Sequence, residues 1–254
     1  MELKSKIALV TGGSRGLGKD MALCLAKKGI DVILTYNSKK EEASAVVAEI
    51  EKLGRKASAL QLNTGNAGSF KAFFDQLKKV LLDHFGTDKF DFLINNAGGS
   101  FNATIADATE QQFDEVVNVH FKGVFFLTQG SLPLINDGGR VINISSGLAR
   151  FCSPGRSVYG AAKAAIETLS RYMAYEFGKR GIAVNTVAPG AIATDFSGGV
   201  VRDNPEVNKH IAGVTALGRV GLPEDIGPVV AFLCSDEARW INAQRIEVSG
   251  GMNL

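Results

Sequence analysis

The sequence has little of what a disulfide-stapled or metal-built protein needs. Only three of its 254 residues are cysteines, and Cys24, Cys152 and Cys234 are widely spaced with no C-x-x-C pattern. An odd number of scattered cysteines argues against a disulfide framework or a zinc site and suits a reducing compartment. His84 and His210 have no ligand-like spacing either. We therefore predict a cytoplasmic protein without a metal.

The chain also lacks a dominant charge and long apolar runs. Its formal net charge of +2 gives no reason to expect nucleic acid or an anionic membrane as a partner. No stretch approaches the roughly 18 apolar residues that a membrane-spanning helix needs. Residues 1–6 lead into the first strand with no apolar signal region, so we expect no leader. At 45% hydrophobic and 21% charged residues, the composition is typical of a globular protein.

Short apolar runs alternate with longer amphipathic stretches along the whole chain. This alternation predicts an α/β fold: one doubly wound, Rossmann-type domain over residues 1–254, with about seven parallel strands and helices on both faces. The predicted strands are residues 7–11, 31–36, 57–62, 90–95, 140–145, 183–187 and 245–248, and the predicted helices are 17–28, 39–53, 69–85, 110–132, 159–180 and 223–233. Residues 196–217 interrupt the alternation, and we expect them to form a substrate lid.

A glycine-rich turn joins the first strand to the first helix. Gly12, Gly16 and Gly18 have the spacing G-x-x-x-G-x-G. Glycine permits a left-handed turn, and the absence of a Cβ lets the backbone approach a pyrophosphate at the helix N-terminus. A glycine-rich turn alone is weak evidence, but its place between a strand and a helix predicts a dinucleotide site.

The residues after the second strand indicate which dinucleotide binds. An acidic residue that accepts from the ribose 2′-hydroxyl of NAD is usual there, but this chain has Asn37 and Ser38, while Asp31 lies at the other end of the strand. Arg15, inside the glycine turn, carries a guanidinium that could pair with a 2′-phosphate. We therefore predict NADPH (NADP+) as the cofactor, with a solvated arginine as the simpler explanation of Arg15.

Tyr159 and Lys163 begin a predicted helix four residues apart, so both lie on one face. An ammonium group beside a phenol favours the phenolate, so we expect Lys163 to lower the pKa of Tyr159. Such a phenol is a general acid for reduction and a base for oxidation. Ser146 follows the fifth strand, at the sheet edge where ligands bind, and its hydroxyl could hold a substrate oxygen. Seen alone, Ser146 would be read as a capping residue.

These motifs occur in the order and spacing of one family. Thr11-Gly12-x-x-x-Gly16-x-Gly18, Asn95-Asn96-Ala97-Gly98, Asn118, Ser146, Tyr159-x-x-x-Lys163 and Pro189-Gly190 resemble the short-chain dehydrogenase/reductase family over essentially the whole chain. The length and the C-terminal residues are similar to its shorter branch, including 3-oxoacyl-acyl-carrier-protein reductases and related ketoreductases. The resemblance implies a homo-oligomer, commonly a tetramer, that acts on a small molecule.

The resemblance also assigns roles to residues. It implies a catalytic tetrad of Asn118, Ser146, Tyr159 and Lys163, in which Asn118 holds a water that relays protons to Lys163. The implied cofactor-binding residues are Gly12, Ser14, Arg15, Gly16, Leu17, Gly18, Tyr36, Asn37, Ser38, Asn63, Thr64, Asn95, Ala97, Gly98, Tyr159, Lys163, Pro189, Gly190, Ile192 and Thr194.

Some positions depart from the family pattern. Asn63 and Ser249 stand where the family usually has aspartates, which changes the hydrogen-bond polarity at Asn63. We interpret His120 as a packed residue in or behind the site, not a catalytic one. We expect apolar side chains near residues 99–101 and 148–153 to line the substrate pocket, and we interpret Arg150 and Arg156 as solvated charges.

The expected activity is reduction of a ketone, 3-oxoacyl or related, to a secondary alcohol by hydride transfer from NADPH, with Tyr159 as proton donor. An alternative in the same class is an NAD(P)-dependent alcohol dehydrogenase that acts on a sugar, polyol or hydroxysteroid. A protein that only binds a dinucleotide is a further alternative, but such a binder needs no tuned phenol.

Overall fold

The computed structural model describes residues 5–254 of the chain. All seven strands lie in one parallel sheet, in the order β3-β2-β1-β4-β5-β6-β7. The strands are β1 (Ile7–Val10), β2 (Asp31–Tyr36), β3 (Ala57–Gln61), β4 (Phe90–Asn95), β5 (Ile135–Ile144), β6 (Ala183–Pro189) and β7 (Arg245–Val248). The predicted doubly wound sheet is confirmed, while residues 1–4 of the predicted domain lie outside the described residues.

Nine α-helices connect or flank these strands in the part of the chain that the structure describes. They are α1 (Gly16–Lys27), α2 (Lys40–Lys52), α3 (Phe70–Val80), α4 (Glu110–Val117), α5 (Gly123–Ser131), α6 (Ser157–Phe177), α7 (Val200–Asp203), α8 (Pro205–Gly213) and α9 (Gly227–Leu233). No helix among residues 5–254 is both long enough and apolar enough to span a membrane.

The strands are almost continuously apolar because helices cover both faces of the sheet. Along β1, Ala8 and Val10 pack on the face of α1, α2 and α9. Ile7 and Leu9 pack on the opposite face, with α3, α5 and α6. Successive strand side chains point to opposite faces, so each strand contributes to two buried layers.

Two predicted helices contain a π-helical turn that the spacing of their apolar residues did not predict. Residues 81–85 form a π-helical turn after α3. This turn ends at Gly86, which is in the left-handed conformation (φ 67°). Residues 118–122 form a second π-helical turn, which divides the predicted helix 110–132 into α4 and α5. Single π-helical turns are rare and are found frequently at functional sites.

The predicted lid has more regular structure than expected. Residues 196–199 form a 3-10 turn with Ser197 and Gly198 in the left-handed region, and α7 and α8 follow. The segment lies directly after β6, beside the carboxyl ends of the strands.

The strand order reverses between β1 and β4, and the chain leaves these two neighbours toward opposite halves of the sheet. Open α/β sheets bind ligands in the crevice outside the carboxyl ends of the strands at this point. The sequence motifs follow the carboxyl ends of β1, β4, β5 and β6, so the topology brings them to one edge.

Candidate active site

The glycine turn after β1 forms a close-packed backbone cradle. Gly12 and Gly16 have φ of +64° and +54°, which side-chain-bearing residues rarely adopt. A Cβ on Gly18 would lie 2.1 Å from the carbonyl oxygen of Gly12. The α1 N-terminus opens directly from this turn and has no side-chain cap at Arg15. Uncapped backbone N–H groups at a helix N-terminus bind anions, so the cradle fits the pyrophosphate of a dinucleotide.

Asn96 fastens this cradle to the loop after β4. Its side-chain amide donates to the carbonyl oxygens of Thr11 (2.9 Å) and Gly12 (3.3 Å). The backbone N–H groups of Asn96 and Ala97 both donate to the Thr11 hydroxyl at 2.9 Å. The sequence analysis gave Asn96 no role of its own, although the motif Asn95-Asn96-Ala97-Gly98 contained the signal.

The predicted cofactor residues are not equally placed to meet a ligand. The Asn95 amide is buried and donates to Thr128 (3.0 Å) and Asn143 (2.8 Å), so its side chain is engaged between β4 and β5. Leu17 packs against the core below the turn. The Asn63 carboxamide oxygen accepts from the Gly65 N–H at 2.9 Å and closes its own turn.

The residues after β6 reach the glycine turn from the other side. Pro189 pairs with Val248 of β7, and the N–H of Gly190 donates to the carbonyl of Val248 at 3.1 Å. A Cβ on Gly16 would lie 3.6 Å from the Cβ of Thr194. The predicted cofactor-binding residues after β6 therefore face the predicted pyrophosphate turn across the crevice.

Arg15 meets the start of the lid. Its guanidinium lies 3.8 Å from the Asp195 carboxylate, which also accepts from Arg202 of α7 at 2.6 Å. Tyr36, Asn37 and Ser38 are half-buried or exposed at the end of β2. Arg15 thus lies at the rim of the crevice, and its partner carboxylate is exposed to solvent, so a phosphate can compete for it.

Ser146, Tyr159 and Lys163 come together beneath the carboxyl end of β5. Ser146 is the second residue after the strand and precedes a short turn, where its hydroxyl accepts from the Leu148 N–H at 3.2 Å. It also lies near the phenol of Tyr159 and acts to lower the pKa of that phenol. The Lys163 ammonium donates to the carbonyl of Ile144 at 2.7 Å and lies 5.5 Å from the Tyr159 ring. The sequence spacing therefore predicted a real cluster.

The expectation that Lys163 lowers the pKa of Tyr159 is wrong for this structure. Tyr159 is only 9% exposed, and burial raises its pKa to about 12, although a hydrogen bond with Ser146 and the charge of Arg156 act in the opposite direction. Burial also lowers the pKa of Lys163 to about 8. The desolvation of both groups outweighs their pairing, because the ammonium bonds a backbone carbonyl and not the phenol.

Asn118 was predicted to reach Lys163 through a water, and that role stays a prediction. It begins the π-helical turn, and no hydrogen bond among residues 5–254 connects its side chain to Ser146, Tyr159 or Lys163. His120, two residues later, is buried instead against the Tyr159 ring, with 5.0 Å between the ring centroids.

Part of the expected pocket wall lies behind the ring of Tyr159. Phe101 is buried in a small cluster with Val116, Tyr159 and Ala162, so it supports the phenol from within. Phe196, at the start of the lid, is partly exposed and its ring lies 6.1 Å from that of Tyr159. The open side of the phenol therefore faces an aromatic side chain of the lid.

Neither arginine near the mouth is a free solvated charge. Arg156 donates to the carbonyl of Phe101. Arg150 donates with two nitrogens to Glu247 (2.9 and 2.8 Å) and also to the carbonyls of Met252 (2.8 Å) and Asn253 (2.9 Å). Spacing alone could not show these contacts, since the partners are far away along the chain.

Glu247 belongs to a hydrogen-bond network that reaches the end of β5. It also accepts from Arg245 at 2.8 Å, and Arg245 donates to Glu167 of α6 at 2.7 Å. Glu167 accepts from the hydroxyl of Ser145, the neighbour of Ser146, at 2.7 Å. The C-terminal residues are thus connected to the end of β5 by an unbroken series of charge-assisted bonds.

Residues 12–253 match a protein-family model described as enoyl-(acyl carrier protein) reductase. A 3-oxoacyl-[acyl-carrier-protein] reductase of Staphylococcus aureus is 39% identical, over 98% of this chain and 99% of that protein. A hydroxynaphthalene reductase-like protein of Metarhizium brunneum is 36% identical, over 98% of this chain and 95% of that protein.

Solved structures of similar chains share the whole fold. The promiscuous reductase LugOII, which catalyses keto-reduction at C1 during lugdunomycin biosynthesis, has a TM-score of 0.94 and 39% identity, with both chains fully covered. The angucycline C-6 ketoreductase LanV, solved with bound NADP, has a TM-score of 0.93 and 37% identity, over 98% of this chain and 95% of that one.

Proposed function

Because this chain belongs to the short-chain dehydrogenase/reductase family, we propose that it is an NADPH-dependent ketoreductase. It reduces a ketone, 3-oxoacyl or related, to a secondary alcohol. The observation that carries this proposal is the buried contact of Tyr159 with Ser146 and Lys163, at the edge where the glycine cradle opens. The sugar, polyol or hydroxysteroid dehydrogenase alternative is not favoured, since the similar proteins named above are reductases.

Each residue of the cluster has one task in the reduction. The hydroxyl of Ser146 donates to the substrate carbonyl oxygen and stabilises the negative charge that develops there. Tyr159 donates its phenolic proton to the same oxygen, and a pKa of about 12 keeps that proton in place at neutral pH. NADPH, when bound, supplies the hydride. Lys163, with a pKa of about 8, returns a proton to Tyr159 through an intervening hydroxyl or water, since its ammonium does not bond the phenol directly.

The cofactor is held from three sides. Gly12, Gly16 and Gly18 give the pyrophosphate access to the backbone, and the residues after β4 and β6 close the crevice around the nucleotide. Arg15, with Asn37 and Ser38, receives the 2′-phosphate. The other predicted cofactor-binding residues, from Ser14 to Thr194, contact the cofactor as the family resemblance implies. Asn95 does so only through its backbone, because its side chain is bonded to Thr128 and Asn143.

The whole chain works, in this proposal, as one catalytic domain in the cytoplasm, with residues 196–217 as its substrate lid. We also propose a homotetramer. Large side chains are exposed on α4, α5 and α6 and beside β7: Phe113, Phe125, Phe126, Tyr172, Tyr175 and Trp240. Large exposed aromatic side chains are frequent at subunit interfaces. Sedimentation of the purified protein tests this assembly, and a monomer at micromolar concentration contradicts it.

The test of the chemistry is NADPH oxidation at 340 nm with β-keto esters, acyl thioesters and polycyclic aryl ketones. Replacing the phenol, in Tyr159→Phe, should lower kcat at least ~100-fold, because general acid catalysis contributes about that factor or more. Tyr172→Phe, an exposed tyrosine on the same helix, is the matched control and should leave kcat unchanged. A near wild-type rate for Tyr159→Phe would refute the mechanism.

The cofactor preference has a separate test. Arg15→Glu places a carboxylate where the 2′-phosphate binds, so the ratio of kcat/KM with NADPH to that with NADH should fall at least ~10-fold. Arg202→Glu, which changes the other partner of Asp195, is the control for disturbing that ion pair. The assignment is wrong if Arg15→Glu leaves the ratio unchanged, or if Arg202→Glu lowers it as much.

A further inference from the structure

Residues 145–150 form the turn that carries Ser146, and we call them the serine turn. The first residue of this turn, Ser145, is 3% exposed. Its hydroxyl donates to Oε1 of Glu167 at 2.7 Å. Glu167 belongs to α6, the helix that also carries Tyr159. One end of the serine turn is therefore bonded to the helix of the proposed proton donor.

The other end of the serine turn is bonded to the last strand. Arg150 donates from Nε and Nη2 to the two carboxylate oxygens of Glu247, at 2.9 and 2.8 Å, and Glu247 lies on β7. An arginine that meets both oxygens of a carboxylate fixes their relative orientation as well as their distance. Each end of the turn thus has a carboxylate partner, and the two carboxylates come from different elements of the fold.

Arg245 joins these two carboxylates to each other. Its Nε donates to Oε1 of Glu167 at 2.7 Å, and its Nη1 donates to Oε2 of Glu247 at 2.8 Å. The three side chains, which we call the carboxylate bridge, are 23%, 13% and 21% exposed in that order. Single exposed ion pairs contribute little, but a partly buried network of short bonds is the exception. The bridge and the serine turn together form a closed cycle.

The bonds within the serine turn do not by themselves fix its place in the site. The hydroxyl of Ser146 accepts from the N–H of Leu148 at 3.2 Å, and its carbonyl accepts from the N–H of Ala149 at 3.1 Å. Both bonds are local, so they set the shape of the turn. The carboxylate bridge adds what they lack, because it ties the two ends of the turn to α6 and β7.

We propose that Glu167 and Arg245 are positioning residues, which hold the hydroxyl of Ser146 and the phenol of Tyr159 at the separation that lets both meet one substrate oxygen. This inference rests on the proposed function, in which Ser146 stabilises the charge that develops on that oxygen. The bridge itself transfers no proton. A donor displaced by about 1 Å can cost roughly 100-fold in rate, so the bridge should act on kcat and not on cofactor binding.

A pair of substitutions at Glu167 separates its bonds from its charge. Ser145 and Arg245 both donate to the same oxygen, so the single amide oxygen of Glu167→Gln can accept from both. We expect Glu167→Gln to keep kcat within about threefold and Glu167→Leu to lose roughly 10- to 100-fold, with the KM for NADPH within about twofold in both. Arg180→Leu is the control, since it removes an ion pair with Asp137 elsewhere on β5 and should leave kcat unchanged.

A double substitution tests whether the bridge acts through Ser146. In the Ser146→Ala background, Glu167→Leu should lower kcat by less than about twofold, because no hydroxyl remains to be positioned. An equal loss in both backgrounds would overturn the inference, and so would a wild-type kcat for Glu167→Leu alone. Equal losses in Glu167→Gln and Glu167→Leu would show that the charge matters and not the bonds.

A further measurement needs neither NADPH nor substrate. Amide hydrogen exchange at Leu148 and Ala149, followed by NMR, should accelerate in Glu167→Leu and in Arg245→Leu but not in Glu167→Gln or Arg180→Leu. Unchanged exchange in the two bridge variants would show that the turn needs no bridge. If melting curves show that Glu167→Leu has not folded, Arg245→Leu decides, because it keeps the bond between Ser145 and Glu167. Wild type inactive on the whole ketone panel would remove the proposed function, whereas the exchange result would stand.

Discussion

Acid should destabilise this protein through His120 more than through an ordinary histidine. Its pKa is lowered from 6.5 to about 3 in the folded protein, by burial and by the charge of Lys163. Between pH 6.5 and about 3 the unfolded chain therefore binds a proton at His120 that the folded chain does not bind. The stabilising contribution is complete above pH 6.5 and is lost as the pH falls through the range from 6.5 to about 3.

The magnitude follows from the pH interval. Between pH 6.5 and pH 4.5 the unfolded imidazole is protonated and the folded one is not, so the free energy of unfolding falls by about 1.4 kcal/mol per pH unit, or roughly 3 kcal/mol. This is an upper figure, because water that enters the site on partial opening would soften the cost.

Urea titrations at pH 7 and pH 4.5, at one protein concentration, measure the effect. His120→Phe keeps a ring of similar size and has no group that titrates in this range. We expect the fall in the free energy of unfolding between the two pH values to be about 3 kcal/mol smaller in His120→Phe than in wild type. Equal falls in the two proteins would refute the reasoning, since other groups would then account for the acid sensitivity.

Two further substitutions test the cradle and the C-terminal network. Gly18→Ala places a Cβ 2.1 Å from the carbonyl oxygen of Gly12, so the turn must shift and the KM for NADPH should rise at least ~10-fold. Gly178→Ala is the control: its new Cβ has no atom within 4 Å, so the KM for NADPH should stay unchanged. Equal KM values for both would mean that the turn does not contact the cofactor. Arg150→Leu removes the bonds to Glu247, Met252 and Asn253, so amide hydrogen exchange near the C-terminus should accelerate in mass spectra. The exposed Arg171→Leu serves as control, and unchanged exchange in Arg150→Leu would contradict the network.

The sheet could be predicted from sequence because each strand is covered on both faces. β2, β4 and β7 begin and end where the apolar runs predicted. β5 starts earlier, at Ile135, because the register shifts between Phe90 and Phe92 of the neighbouring strand, and the glycines in this part of β5 hide it from the hydrophobic pattern. The glycine spacing between β1 and α1 and the four-residue spacing of Tyr159 and Lys163 located the candidate cofactor turn and the candidate catalytic cluster, and the family resemblance added the other site residues.

The rest depended on contacts between distant residues. The spacing of apolar residues could not show the π-helical turn, which places His120 against the ring of Tyr159. The pKa of Tyr159 was predicted in the wrong direction, because spacing shows that Lys163 is near but not that the carbonyl of Ile144 binds it. The partners of Arg150 lie about a hundred positions away and leave no local signal.

The bonds that join the chain's last residues to Ser145 have a practical meaning for anyone who modifies the protein. The carbonyls of Met252 and Asn253 accept hydrogen bonds from the guanidinium of Arg150, on the loop that follows Ser146. A purification handle attached after Leu254 would pull on that loop. Turnover of the tagged protein should therefore differ from that of the untagged protein, which sets the reference for every variant described above.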